Sequence, residues 1–329
     1  MNRSLFLALV ALLGCGGSAT VEEGCYVDER VPKAVREELA ASALLFYDRI
    51  RAQDWQAIYD NASSAVRRGS TSEEFLGSIA RAVSSIGLPA ELATRSVSLV
   101  KFGAGFPYQR RVSCRVEGKE DPLVLLLNDH PEQGSLVQVG TGTKDAFFYS
   151  TLWLREEGEW HLGVFFVKPA TLHGKDANDY AEEAAVQEAK ENLRNAALLY
   201  NVALDLAVPT AWMKPPEIDE LQRAQRRLQV MNLPAGESLI DVWGADPDTF
   251  QVARVSYAVR GDELGLVVRY LSQGAIEDTT FQDGRARELV EVMRADFPEY
   301  LEVFSSVTVQ AYDAEGRAWH HADPFRSGR

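Results

Sequence analysis

The side chains in this sequence with the most reactive chemistry are three cysteines and five histidines. Cys15 ends an apolar run, Leu5–Leu13, and follows Gly14. A thiol is a nucleophile, and a glycine before it leaves the backbone open to a peptidase. Cys25 and Cys114 remain as a pair. In an oxidising compartment they would bridge, closing a loop of about 90 residues, worth roughly 4–5 kcal/mol of chain entropy. The alternative is two unpaired thiols, Cys114 buried in a strand and Cys25 exposed. The histidines are His130, His161, His173, His320 and His321. A metal needs several convergent His, Cys, Asp or Glu ligands. His320 and His321, with Asp323, form the densest group, but neighbours on a strand point to opposite faces. They read as a polar tail. Asp246 and Asp248 in "GADPDT" lack a full calcium loop and read as a turn. No metal and no cofactor is expected.

Nucleophilic catalysis fares no better. There is no G-x-S-x-G, and Ser78 in "FLGSIA" falls inside a helical pattern, where a nucleophile elbow cannot form. There is no G-x-x-x-x-G-K-[ST], and "VKFGAGF" lacks the third glycine of a dinucleotide loop. His161 is the one histidine expected in mid-strand, at a surface position across from Trp160. The chain of 329 residues carries a net charge of −14, with 46% apolar and 25% charged residues. That is an ordinary globular composition with an acidic surface. Such a surface repels phosphate backbones, and no basic patch with interleaved aromatics is visible, so nucleic acid is not an expected partner.

The run Leu5–Leu13 is less than half the roughly 20 residues that a membrane-spanning helix needs. With Arg3 before it, it suits the apolar region of a signal peptide. Leu12-Leu13-Gly14-Cys15 resembles the lipobox of bacterial lipoproteins. That resemblance implies cleavage before Cys15, diacylation of its thiol and acylation of the new amino terminus. It places the protein in the bacterial cell envelope, anchored to the membrane by lipid. Gly16 resembles the class sorted to the outer membrane. Removing residues 1–14 deletes one positive charge, Arg3, and takes the net charge from −14 to −15.

Residues 15–32 read as a tether after the signal segment 1–14. Leu39, Ala43, Phe46 and Ile50 then recur at helical spacing. A second helix is predicted from Asp54, and a third in "GSTSEEFLGSIARAVSSIGLP", capped by Thr71 or Ser72 and stopped by Gly87 and Pro89. Four to six antiparallel strands follow, ending in the hairpin "LWLREEGEWHLGVFFV". Residues 33–168 make a first α+β domain, residues 169–181 a linker and residues 182–329 a second α+β domain with antiparallel strands. The second opens with one long helix, about Tyr180 to Leu206, then a helix starting at Pro216. Similar helix and hairpin stretches in the two halves suggest a degenerate repeat, against which stands the extra helix near residues 285–301.

The segments "FYDRIRAQDWQAIYDNAS", "TSEEFLGSIARAVSSIGLP" and "LWLREEGEWHLGVFFV" make residues 33–168 resemble the nuclear-transport-factor-like cone fold, also called SnoaL-like or ketosteroid-isomerase-like. The resemblance implies helices packed on a curved antiparallel sheet. Isomerases of that kind use an Asp base and a Tyr–Asp pair, but the spacing of Tyr108, Asp129 and Tyr149 matches no such motif. Strand alternation places Phe147, Tyr149, Trp153, Phe165 and Val167 on one face. It places Phe148, Leu152, Trp160 and Phe166 on the other. Tyr149, Trp153, Trp160, His161 and Phe165 are thus the expected lining of a cavity or an interface. A sheet apolar on both sides needs two covers. The second could be the other domain, an envelope protein or a small apolar ligand. The expected function is a membrane-tethered binding or assembly module without enzymatic activity. The alternative is a small-ligand binder or enzyme using the cone's cavity.

Overall fold

The computed structural model describes residues 24–102, 111–127, 130–142, 144–229, 233–234, 240–245, 249–260 and 263–324. Within them the protein is α+β, as its sequence pattern requires. The chain enters through a short strand, β1 (Gly24–Val27), and a single 3-10 turn (Asp28–Arg30). Helices α1 (Lys33–Arg51), α2 (Trp55–Asp60), α3 (Ser64–Gly69) and α4 (Ser72–Ile86) follow. Next come strands β2 (Ala93–Lys101), β3 (Arg111–Cys114), β4 (Leu123–Leu126), β5 (Glu132–Thr141), β6 (Ala146–Glu156) and β7 (Glu159–Pro169).

Local chemistry sets most of these boundaries. The Asp54 carboxylate accepts from the Ala57 amide and starts α2. Thr71 and Glu74 form a reciprocal capping box on α4, and Gly87, at φ 90°, ends it. The β6–β7 turn is Glu157-Gly158, both at positive φ, the geometry that suits a two-residue hairpin. Two expectations change here. A fourth helix, α3, was too short to show a period; Ser63 caps it. Residues 24–30 are not tether, because β1 pairs with β2 from Gly24↔Lys101 to Val27↔Ser98.

The second stretch holds α5 (Ala177–Ala189), α6 (Leu193–Ala207), β8 (Met213–Lys214), α7 (Glu217–Gln229), β9 (Asp241–Trp243), β10 (Phe250–Arg260) and β11 (Glu263–Leu271). It closes with α8 (Thr279–Asp296), α9 (Tyr300–Val303), β12 (Ser306–Tyr312) and β13 (Ala318–Pro324). The expected long helix is broken between α5 and α6, where Glu191 takes φ 64°. The expected linker is also shorter, since Asp176 caps α5 and helix begins at Ala177.

Three sheets result. The first has the order β1-β2-β5-β6-β7, all antiparallel. The second runs β9-β10-β11-β12-β13. Its β11 and β12 are parallel because α8 and α9 carry the chain over between them. The first half has no counterpart of that crossover, so the two sheets differ in topology. The third sheet, β3-β4-β8, joins the halves, with Leu125 of β4 opposite Met213 of β8.

The core falls into three clusters. Val35, Leu39, Ala43, Phe46 and Ile50 of α1 pack on one face of the first sheet with Leu99, Leu136 and Trp153. The opposite face of that sheet buries Val100, Val137 and Leu152 against Leu123, Leu125 and Met213 of the third sheet. The second sheet packs one face on α6 and α8 through Val202, Leu289 and Met293.

Candidate functional site

Four of the five residues expected to line a cavity, Tyr149, Trp153, Trp160 and Phe165, instead fill the first helix–sheet layer. Trp153 is fully buried, its indole N–H donating to Thr151 Oγ1 at 2.8 Å and its ring edge-on to Phe46. Tyr149 donates to the Gly87 carbonyl at 2.9 Å. Phe165 packs on Phe46 and Tyr47. Trp160 donates to Glu38 Oε2 at 3.0 Å and lies under the Arg155 guanidinium. Trp160 shares the face of Trp153, not the opposite one. The pairing of β6 and β7 slips at Leu152/Trp153, so Gly163 is an extra residue and alternation changes phase there. A Cβ at Gly163 would stand 3.2 Å from the Leu152 carbonyl oxygen. His161 is half-buried rather than at the surface, and its Nδ1 is enclosed without a hydrogen bond.

The second cover of that sheet comes from within the chain. It is the third sheet, aided by Trp212, which donates to Ser135 Oγ at 3.1 Å and packs against Phe166. Cys25 and Cys114 form a disulfide with a Cα–Cα distance of 5.4 Å. Among the histidines, His321 sets Nδ1 2.8 Å from Asp283 Oδ1 on α8, while His320 faces solvent. Ser78 bonds back to the Phe75 carbonyl within α4. No group of three or more ligating side chains that could hold a metal occurs among the described residues. Cys15, Tyr108, Asp129, Asp246 and Asp248 lie outside the described residues.

Among the described residues, a smaller pocket of about 380 Å³ is lined by Arg30, Arg115, Glu117 and Lys119, and two further places offer polar chemistry. The first is a cleft of about 480 Å³ between α6, α7 and β10. Four of its polar groups pair, Tyr257 donating to Asp205 and Gln225 donating to Asn201, while Arg254 and Ser256 also line it at the β10 edge. Burial, then the bond to Asp205, pushes the Tyr257 hydroxyl well above its ordinary pKa, so it stays a neutral donor. Burial also draws the nearby Lys168 ammonium down, against the opposing pull of Asp205.

The second place is the other face of the second sheet. Among the described residues, the side chains of this sheet that bond to or pack on α6 and α8 stand on one side. Tyr270 reaches Gln282 of α8 there, and His321 reaches Asp283. Paired residues share a face, so the register defines what stands on the helix-free side. Arg254 of β10 is opposite Arg269 of β11. Arg269 is opposite Gln310 of β12, and Gln310 is opposite His320 of β13. Four nitrogen-bearing side chains therefore form one row across four strands. At about 4.8 Å per strand the row is roughly 14 Å long. Arg254 and His320 are exposed; Arg269 and Gln310 are half-buried. Arg269 stacks on Tyr312 at 4.2 Å from the ring centre. The next row holds Ser256, Val267, Thr308 and Ala322. None of the four in the first row has a side-chain hydrogen bond or ion pair among the described residues, and Arg254 is shared with the rim of the cleft. Glu263, at the β10–β11 end, is the one carboxylate among the described strand residues of this face.

Sequence reasoning missed this row because it is not a patch in the chain. Its members come from four strands spread over residues 254–320. No protein-family model matches the chain, and neither any curated protein nor any solved structure is similar to it.

Proposed function

We propose that this chain is a lipid-anchored protein of a bacterial envelope that works as a binding module, with the helix-free face of its second sheet as the binding surface. The address rests on Leu12-Leu13-Gly14-Cys15, which fits a lipobox, and on Gly16, which fits outer-membrane sorting. The Cys25–Cys114 disulfide suits an oxidising compartment. No described helix is long and apolar enough to cross a membrane, and a lipid at Cys15 would supply the attachment. In the first half, helices on a five-stranded antiparallel sheet agree with kinship to the nuclear-transport-factor-like folds. An enzyme built on the cone's interior finds less support, since Trp153, Tyr47 and Tyr149 occupy that space.

The observation that carries the binding role is the row Arg254–Arg269–Gln310–His320, a line of side chains with no hydrogen bond or ion pair among the described residues, on a chain of net charge −14. Like charges placed directly opposite on a sheet repel, and an anion between Arg254 and Arg269 relieves that repulsion. The test is chromatography on a polyanionic resin at low ionic strength, above the sequence pI of about 4.9. The expected result is that the full chain is retained and elutes with salt. The double variant Arg254→Gln, Arg269→Gln should pass straight through. A wild-type chain that passes through as the variant does would remove the binding surface from the proposal.

A further inference from the structure

The geometry points to an acidic oligosaccharide as the ligand of this face, a step that rests on the binding role proposed above. Charge comes first. A guanidinium binds carboxylate or phosphate through paired N–H donors, and Arg254 and Arg269 stand side by side, one strand spacing apart. The ligand must therefore bring anionic groups at intervals of about 5 Å or a little more along its length. Gln310 then continues the row with an amide, which both donates and accepts. A ligand that only accepts uses the Gln310 N–H and leaves its carbonyl idle; a sugar, with hydroxyls between its charges, engages both.

Shape argues the same way. The floor beside the row is Ser256 and Val267, and then Ala258 and Gly265. These side chains are small, and Gly265 is held small by its neighbour: a Cβ there would meet Ser306 Oγ at 2.5 Å. Apart from the cleft at the β10 edge, which Arg254 and Ser256 help to line, this floor gives the side chains of an acidic peptide little to enter. It suits the broad face of a pyranose ring. Nucleic acid is disfavoured on two grounds. Single strands bind by stacking bases on aromatic rings, yet Tyr312 on this face is only 6% exposed and lies beneath Arg269. A long polyphosphate would also run past the row of roughly 14 Å onto the remaining acidic surface, a repulsion that a short oligosaccharide avoids.

The test is calorimetric titration of the full chain, in a mild detergent, with tetragalacturonate. Its fully methyl-esterified form keeps the ring skeleton and loses the charge; tetraglutamate keeps the charge and loses the rings. Tetragalacturonate should bind one to one. The ester should bind at least about tenfold more weakly, the loss expected for hydrogen bonds to charged groups. Arg254→Gln and Arg269→Gln should each weaken tetragalacturonate by about tenfold. Arg254 is exposed, so its variant remains informative if removing Arg269 from Tyr312 impairs folding. Equal binding of acid and ester overturns the inference. Tetraglutamate binding that depends on Arg254, with tetragalacturonate inert, overturns the sugar and leaves the anion-binding face standing. Binding of either anion unchanged by Arg254→Gln overturns both.

Discussion

Breaking the Cys25–Cys114 disulfide should cost the protein a large part of the stability of its first half. The two cysteines are 89 residues apart in sequence. The chain between them contains α1 to α4 and the strand β2. For a closed loop of about 90 residues, the chain-entropy relation gives 4–5 kcal/mol of stabilisation, all of it by restricting the unfolded chain. Little of the native packing depends on the bond. Cys114 is buried among Leu123, Leu125 and Met213, and β1 is also held by its pairing with β2. Cys25→Ser removes the bridge at its more exposed end and leaves the buried sulfur in place. Guanidinium unfolding followed by tryptophan fluorescence, with wild type oxidised, wild type reduced and Cys25→Ser compared, should place the last two together, about 4 kcal/mol below the first. Hydrogen exchange should show β1 amides losing protection first. A difference under about 1 kcal/mol would refute the reasoning, because it would mean the unfolded first half is already as compact without the bond. The bridge also has a mechanical meaning in an anchored chain. Ten residues separate Cys15 from Cys25, a reach of at most about 36 Å. Tension on the lipid would arrive at Cys25 and pass through sulfur to β3, rather than peel β1 from the sheet edge.

Two further outcomes are expected. Cys15→Ala should release the protein from the membrane fraction or leave it unprocessed, as cell fractionation and mass spectrometry of its amino terminus would show; a variant that fractionates like wild type removes the lipid anchor. Glu156 should govern part of the acid response. Burial raises its pKa, but the Ser64 amide and hydroxyl, helped by His161 and His130, outweigh burial and hold it below the ordinary value. A carboxylate depressed in the folded state adds stability above its unfolded value, about 4.3, and that stability is lost as pH falls through the lower folded value. Glu156→Gln should therefore be about 1 kcal/mol less stable near neutrality and show a shallower loss below about pH 5. Parallel melting curves for variant and wild type across that range would argue against it.

What was legible in the sequence was what local chemistry decides. Thr71 and Glu74 announce the start of α4, Asp54 the start of α2, and Glu157-Gly158 the turn of the β6–β7 hairpin. What was not legible depends on distant partners. The strands β3 and β4 look like their neighbours by composition, yet they leave the first sheet, and β4 pairs with β8, about ninety residues on. The segment 24–27 is too short to carry a period and becomes strand only because β2 and Cys114 receive it. Trp160 changed face because one glycine, Gly163, adds a residue to β7 where a Cβ would crowd the carbonyl of Leu152.

The donor row depends on the same kind of non-local decision. A slip of one residue in a strand exchanges its two faces. In β10 the pairing shifts between Val252 and Arg254. Without that bulge the alternation that buries Val252 would bury Arg254 as well, against Leu289 and Met293 of α8. An unpaired guanidinium there costs several kcal/mol, whereas Arg254 opposite Arg269 on the open face costs about 0.2–1 kcal/mol. Between those two the bulge is the cheaper arrangement. The parallel crossover through α8 and α9 then brings Gln310 beside Arg269, and the last hairpin brings His320 beside Gln310. Sequence alternation alone would have found four separate polar positions. The bulge, the crossover and the hairpin together make them a line, and in a chain of net charge −14 a line of donors with no hydrogen bond or ion pair among the described residues is where an anion is least opposed.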